Sequence, residues 1–183
     1  MSAAARKRNR VWTAGLLVLL LAAGGTLLNA CSATESGPGT RKVYDFTLPT
    51  LDHGRFYLNQ SKGSVVVLCF WSTTCRHCHA QMTAMGPLME RYANRPVQVA
   101  AVCTDPENQT AIRRFAAATG ITCPIPLDAG ARIFKRFGGL GLPTTVILDQ
   151  EGVQRLVRSG FSDAILKQIE TQIVRLLDES GTS

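Results

Sequence analysis

The segment CRHCH, residues 75–79, gathers two thiols and two imidazoles within five positions. Read as C-x-x-C-H, it matches the signature of covalent haem attachment. The two cysteines together with His77 and His79 could instead bind a metal ion. A C-x-x-C pair can also form a redox-active disulfide, in which case the histidine that follows has no direct chemical role. The flanking elements have to distinguish these three chemistries.

The residues around the motif favour the redox disulfide. The run SVVVLCFW, residues 64–71, predicts a strand buried on both faces, and a helical pattern begins at the cysteines. Free N–H groups and the dipole at a helix N-terminus stabilise a thiolate, so we expect Cys75 to be the exposed nucleophile and Cys78 the buried resolving thiol. Haem would displace the sheet packing, and consecutive helical residues do not converge on one zinc ion. Transient copper binding by the reduced thiols stays open.

Alternating strand and helix patterns along the rest of the chain predict a three-layer α/β sandwich. Residues 96–105 are a second buried run, after which Asp105 is expected to cap a helix that has Pro106 in its first turn. Residues 121–128 predict a short strand or an extended segment. The closing helix follows Ser162 and carries one apolar stripe, formed by Ile165, Ile169, Ile173 and Leu176.

Two longer stretches resemble a known family. DFTLPTLDHGRFYLNQSKGSVVVLCFWSTTCRHC is similar to the opening of TlpA/ResA-type thioredoxin-like proteins, a redoxin group related to AhpC/TSA. GLGLPTTVILDQEG resembles the second signature of the same group. The resemblance covers about residues 43–180 and implies a thioredoxin-like fold, a three-layer α/β sandwich with a central mixed β-sheet. It also implies catalysis by Cys75 and Cys78 without a cofactor or a metal.

The same resemblance implies where substrate binds. The Leu142–Pro143 peptide bond is expected to be cis and to face the disulfide. The backbone around Leu142 would receive a substrate peptide as an added strand. Pro143 and Thr144 would shape this groove, and Trp71 would pack beside the cysteine pair. The alternative for Pro143 is an ordinary proline of a loop or an edge strand.

Several residues depart from the family pattern around the cysteines. Cys69 occupies the position at which thioredoxins often have a buried carboxylate, and Gln81 replaces a glutamate that is frequent in the TlpA/ResA type. Proton transfer would then depend on water or on a histidine. His77 and Arg76, which lie between the two cysteines, are the expected redox-tuning residues, and for His77 the reason is that an imidazolium stabilises the thiolate and makes the disulfide more oxidising. The alternative is that His77 is only an exposed residue of the helix cap.

Three more cysteines belong to the predicted domain. Cys69, inside an apolar strand, is expected to be a small buried hydrophobic residue. Cys103 and Cys123 flank one predicted helix. Neighbouring parallel strands could bring these two thiols together as a second disulfide, or they could remain free.

The N-terminus has the pattern of an export signal. RKRNR precedes twenty uncharged residues that lead to Cys31 through LLNA. This ending resembles a bacterial lipobox, in which Cys31 becomes the lipidated N-terminus, and an uncleaved membrane anchor is the alternative. We therefore expect a signal segment over residues 1–31, a flexible tether over 32–42 and the folded domain over 43–183. The domain would lie on the oxidising, periplasmic side of a bacterial membrane.

The net charge of +7 does not indicate nucleic-acid binding. Four of the 20 basic residues belong to RKRNR, and the remaining 16 face 13 acidic residues, which is an ordinary solvated surface. The predicted function is a membrane-tethered, monomeric thiol-disulfide oxidoreductase that reduces partner proteins such as apocytochrome c or copper-site proteins. A membrane thiol reductase would supply its electrons.

Two other functions are considered. A peroxiredoxin-like thiol peroxidase is one, although Ser72 stands where the peroxidase pattern has threonine. A copper-delivery module that uses the reduced thiols is the other.

Overall fold

The computed structural model describes residues 45–180. Its regular elements follow the predicted alternation of strands and helices. In chain order they are β1 (Thr47–Pro49), β2 (Arg55–Tyr57), β3 (Val65–Trp71), α1 (Arg76–Arg91), β4 (Val97–Cys103), α2 (Gln109–Thr119), α3 (Arg132–Arg136), β5 (Thr144–Leu148), β6 (Gln154–Ser159) and α4 (Asp163–Ser180). Single turns of 3-10 helix at Leu58–Ser61 and Ala129–Ala131 complete them.

The central sheet has the strand order β4-β3-β5-β6. β3 pairs in parallel with β4, so that Trp71 lies opposite Cys103, and antiparallel with β5, so that Phe70 lies opposite Thr144. The sheet is therefore mixed, as predicted. A separate two-stranded hairpin, β1 with β2, forms around LDHG, residues 51–54.

The side chains of β3 alternate between two apolar cores, because successive residues of a strand point to opposite faces. Val67, Cys69 and Trp71 pack against the layer formed by α1, α2 and α4. Leu68 and Phe70 pack against the hairpin and α3. Burial of β3 on both faces thus produces the predicted three layers. On α4, Ile169, Ile173 and Leu176 of the expected stripe are buried, and the Ser162 hydroxyl accepts a hydrogen bond from the N–H of Ile165 at 3.2 Å.

One predicted helix boundary is wrong. Asp105 does not cap α2, which begins at Gln109 and is capped by Asn108, whose side-chain oxygen accepts the N–H of Ala111 at 3.0 Å. The carboxylate of Asp105 is instead bonded to Thr73, on the neighbouring strand end. The hydrogen bonds of Asp105 to Thr73 therefore replace the helix cap that the local sequence pattern predicts.

Residues 121–128 run extended along β4 without forming a regular strand. The N–H groups of Ala101 and Cys103 donate to the carbonyls of Pro124 and Pro126 at 3.0 and 2.9 Å. These two prolines have no N–H to return, so the ladder is one-sided at their positions.

The signal segment, the tether and Cys31 lie outside residues 45–180, as do residues 43, 44 and 181–183 at the edges of the expected domain. Between residues 45 and 180 no helix combines the length and the apolar character that crossing a bilayer requires.

Candidate active site

Cys75 and Cys78 form a disulfide at the start of α1, with their Cα atoms 5.3 Å apart. Cys75 is the N-cap residue, and its Sγ accepts the N–H of Cys78 at 3.1 Å. Cys75 is half-buried, whereas Cys78 is fully buried. A helix N–H directed at Sγ, here shared with the Cys75 carbonyl at 3.2 Å, stabilises the thiolate that reduction would produce there. This arrangement fits the predicted roles, with Cys75 as the nucleophile and Cys78 as the resolving thiol.

The loop between β3 and α1 is anchored by a carboxylate from the next strand. Both oxygens of Asp105 accept the N–H of Thr73 at 3.0 Å, and Oδ2 also accepts the Thr73 hydroxyl at 2.6 Å. Oδ1 accepts the Cys103 thiol at 3.2 Å. Because Trp71 and Cys103 are partners in parallel strands, the residues two positions beyond them meet at the same sheet edge. The strand register could have revealed this contact, which helix-cap reasoning missed.

The second signature lies beside the disulfide loop. β5 begins at Thr144, opposite Phe70 in β3, so Leu142 and Pro143 adjoin the end of β3 from which the cysteine loop departs. The Leu142–Pro143 peptide bond is cis, as predicted. Pro143 is buried, and its carbonyl accepts the N–H of Gly160 at 2.7 Å. Thr144 is also buried, so the half-buried Leu142 presents the accessible surface of this segment.

Trp71 occupies the interior below the loop. Its side chain is fully buried and stacks on Phe115 of α2, with ring centroids 4.1 Å apart. The ring of His79 lies edge-on to Phe115, with centroids 5.6 Å apart. Trp71 therefore supports the floor of the site and exposes no surface to a substrate. His79, the histidine that makes the motif look like a haem site, packs on an aromatic ring.

The positions of the two missing carboxylates are joined by one hydroxyl. Thr145 lies opposite Cys69 in the β3–β5 pairing, and its side chain lowers the pKa of the Cys69 thiol, against the larger rise that burial causes. Gln81, one turn after Cys78, donates its amide to the Thr145 hydroxyl at 2.5 Å. Gln81 is fully buried, and its Oε1 has no hydrogen-bond partner among residues 45–180. The interior below Cys78 thus holds neutral polar groups in place of an acid.

The remaining cysteines of the described range are free thiols. Burial raises the pKa of Cys69 to about 12 and that of Cys123 to about 11, and it also raises the pKa of Cys103. The possible Cys103–Cys123 disulfide does not form. Cys103 is bridged to Leu127, so Cys123 lies four residues, or about 13 Å, further back along the extended segment. A disulfide requires Cα atoms within about 7 Å.

The tuning role of Arg76 and His77 stays a prediction. Arg76 and His77 are exposed in the first turn of α1, so both are accessible to a partner. Within the part of the chain that the structure describes, no group of three or more histidine, cysteine or acidic side chains is arranged to bind a metal ion. The two thiols that metal or haem attachment would need are joined to each other.

Comparisons with known proteins agree with this site. Residues 40–157 match the model of the AhpC/TSA family. The chain is 34% identical to the thioredoxin-like protein YneN of Bacillus subtilis, a match that covers 81% of this chain and 89% of that protein. It is 30% identical to the thiol-disulfide oxidoreductase ResA of Bacillus cereus, over 93% and 98% of the two chains.

The fold has a solved counterpart. A structure described as a putative thiol:disulfide interchange protein DsbE from Chlorobium tepidum superposes with a TM-score of 0.70 at 29% identity, over 76% of this chain and 97% of that one. The thioredoxin-like fold is therefore confirmed, and the disulfide lies at the expected strand-to-helix junction. With its family model, its relatives and its C-x-x-C disulfide in agreement, the chain belongs to the AhpC/TSA family and is a thiol-disulfide oxidoreductase.

Proposed function

We propose that this oxidoreductase works as a membrane-tethered, extracytoplasmic reductant of protein disulfides. The observation that carries the proposal is the asymmetry of the cysteine pair. Cys75 is half-exposed and accepts a helix N–H, and Cys78 is fully buried one turn along. A partner's disulfide can therefore reach only one of the two sulfurs.

The reaction would proceed by two exchanges. The Cys75 thiolate attacks one sulfur of the partner's disulfide, which forms a mixed disulfide and releases the partner's other sulfur as a thiolate. The Cys78 thiolate then attacks Sγ of Cys75, closes the intramolecular disulfide and releases the second partner thiolate. Two electrons pass to the partner, whose two thiolates take up two protons from water. A dithiol of a membrane thiol reductase would return the chain to its reduced form by the reverse exchanges.

Sequence features outside the described range support the cellular setting. The basic and apolar N-terminus would carry the chain across the membrane, and lipidation of Cys31 or an uncleaved anchor would hold it there. Stable disulfides are abundant in that compartment, so a dedicated reductant has substrates there. Apocytochromes c and copper-site proteins, which need free thiols before they take up haem or metal, are the proposed substrates. Leu142 would line the groove, the buried Pro143 and Thr144 would shape it from beneath, and the enzyme would act as a monomer.

The midpoint potential of the Cys75/Cys78 couple tests the direction of electron flow. We expect a value near or below about −250 mV for the full-length protein in thiol redox buffers, close to that of thioredoxin. A value above about −150 mV, which approaches that of DsbA, would overturn the reducing role. His77 would then be the residue to substitute, since an imidazolium beside the thiolate favours the reduced form.

A further inference from the structure

Leu140 is the most exposed of the large hydrophobic residues that the structure records as exposed. Its side chain is 95% accessible, whereas Val174 and Tyr57 are 43% and 37% accessible. A single exposed leucine needs no explanation by itself. The fixed backbone around Leu140 and the position of this loop beside the active site do require an explanation.

The loop holds Leu140 away from both cores. The N–H groups of Gly138 and Gly139 donate to carbonyls of α3 at 3.0 and 3.1 Å. On the other side of Leu140, the Thr144 hydroxyl donates to the carbonyl of Gly141 at 2.5 Å. The backbone is thus fixed both before and after the leucine.

Glycine at position 139 is what allows this path. A Cβ atom there would overlap the ring of Phe134, so the backbone rests directly on that ring. Leu142, two residues beyond Leu140, packs against both cores. The chain therefore packs one leucine partly into the cores and presents the other to solvent.

The loop ends at the active site. Thr144 is paired with Phe70, and Leu140 lies at most about 13 Å from Thr144 along the chain. A polypeptide that adds as a strand to the backbone at Leu142 would continue past Leu140, because strand residues advance about 3.3 Å each. A small disulfide bound at Cys75 has no extended polypeptide segment to add along this backbone.

We propose that Leu140 is a docking residue that selects protein disulfides flanked by an apolar side chain. This inference rests on the proposed reductase function and specifies the partner of the same site. The occupant is an extended segment of the substrate protein, and its apolar side chain is covered by Leu140 while its cysteine reacts with Cys75. Burial of the Leu140 side chain stabilises the complex in proportion to the apolar area that is removed from water.

The test compares two substrates in single turnover. Reduced full-length protein in detergent is mixed with native insulin, whose disulfides are intact, or with oxidised glutathione. Alkylation after an acid quench measures the oxidation of Cys75 and Cys78. We expect Leu140→Ser to lower the second-order rate constant for insulin about tenfold, or about 1.4 kcal/mol, and to leave the rate with glutathione unchanged. Leu140→Met should retain most of the rate with insulin, because it keeps an apolar side chain of similar volume.

Val174→Ser is the matched control. It also removes an exposed hydrophobic side chain, but from α4. The carbonyl of Leu176, two residues further along α4, accepts a hydrogen bond from Gln150, which follows the end of β5 opposite to Thr144. We expect it to leave both rates unchanged. Equal rates of wild type and Leu140→Ser with insulin, or equal losses with both substrates, would overturn the docking role. A wild-type protein that reduces neither substrate would instead overturn the reductase function.

Discussion

The carboxylate of Asp105 binds both the N–H and the hydroxyl of Thr73, two residues before the nucleophilic cysteine. Thr73 belongs to the loop that leaves β3, and Asp105 belongs to the loop that leaves β4. The contact therefore ties the start of the active-site helix to the parallel neighbouring strand. It also fixes a carboxylate on Thr73, two residues before the cysteine whose sulfur becomes a thiolate on reduction.

We expect Asp105→Asn to make the disulfide more oxidising and the protein less stable. Loss of the negative charge favours the Cys75 thiolate, so the midpoint potential should rise by about 10–30 mV, since 30 mV is about 1.4 kcal/mol for two electrons. Replacement of charged hydrogen bonds by neutral ones should lower the free energy of unfolding by about 1–2 kcal/mol. Redox equilibration with glutathione and denaturant unfolding measure the two quantities.

Asp52→Asn provides the control for the charge. Asp52 is exposed in the β1–β2 turn, and its contact is an ion pair with Arg113 at 3.5 Å. This variant removes the same charge and should leave the potential unchanged. If both variants shift the potential equally, the effect belongs to the net charge and the specific role of Asp105 fails.

The asymmetry of the cysteines leads to opposite phenotypes for their alanine variants. We expect Cys78→Ala to accumulate mixed disulfides between Cys75 and partner proteins, because the resolving thiol is absent. Cys75→Ala should form none, since the Cys78 sulfur is fully buried. Non-reducing electrophoresis and mass spectrometry of cells expressing each variant measure the adducts. Comparable trapping by Cys75→Ala would contradict the assignment of roles.

Much of the fold could be predicted because its local and long-range signals agree. The buried run over β3 and the helix pattern that follows predicted the junction at which the disulfide lies. The apolar stripe of α4 predicted its buried face. The cis peptide bond before Pro143 followed from the family resemblance rather than from any local pattern.

The errors arose where tertiary contacts override local preference. Asp105 followed by a proline is a good helix start, but the parallel register carries its carboxylate to Thr73. Cys103 and Cys123 flank one helix, but their separation depends on how the extended segment aligns with β4, which the sequence does not reveal. Trp71 adjoins the motif in sequence, and only the position of Phe115 shows that the indole is inside.

Gln81 allows a test of the neutral interior. We expect Gln81→Glu to be less stable than wild type by about 3 kcal/mol at pH 7.5 and nearly as stable at pH 4. Burial would raise the pKa of the new carboxyl in the folded state above its unfolded value of about 4.3. Stability is then fully present below the unfolded pKa. It is lost as pH rises towards the folded pKa, by about 1.36 kcal/mol for each pH unit between the two values. Denaturant unfolding at pH 4 and pH 7.5 measures the loss.

Gln60→Glu is the control, because Gln60 is exposed and a new carboxylate there remains solvated. Its stability relative to wild type should not change between the two pH values. A Gln81→Glu protein that matches wild type at pH 7.5 would show that the interior below Cys78 accepts a charge.

The buried thiol of Cys69 allows a similar test of stability at alkaline pH. Burial raises its pKa from 9.0 to about 12, so between these values the unfolded chain ionises first and the folded state loses stability as pH rises. We expect Cys69→Ala to be about 1–2 kcal/mol less stable than wild type at pH 8, because buried atoms are removed. The difference should shrink by about 1.6 kcal/mol between pH 9 and pH 10.5, since the variant has no thiol at this position that could ionise in the unfolded chain. Unfolding in denaturant under anaerobic conditions measures both proteins. Tyrosines and the other thiols contribute equally to each, so a difference that stays constant up to pH 10.5 would mean that Cys69 ionises in the folded state as it does in the unfolded chain.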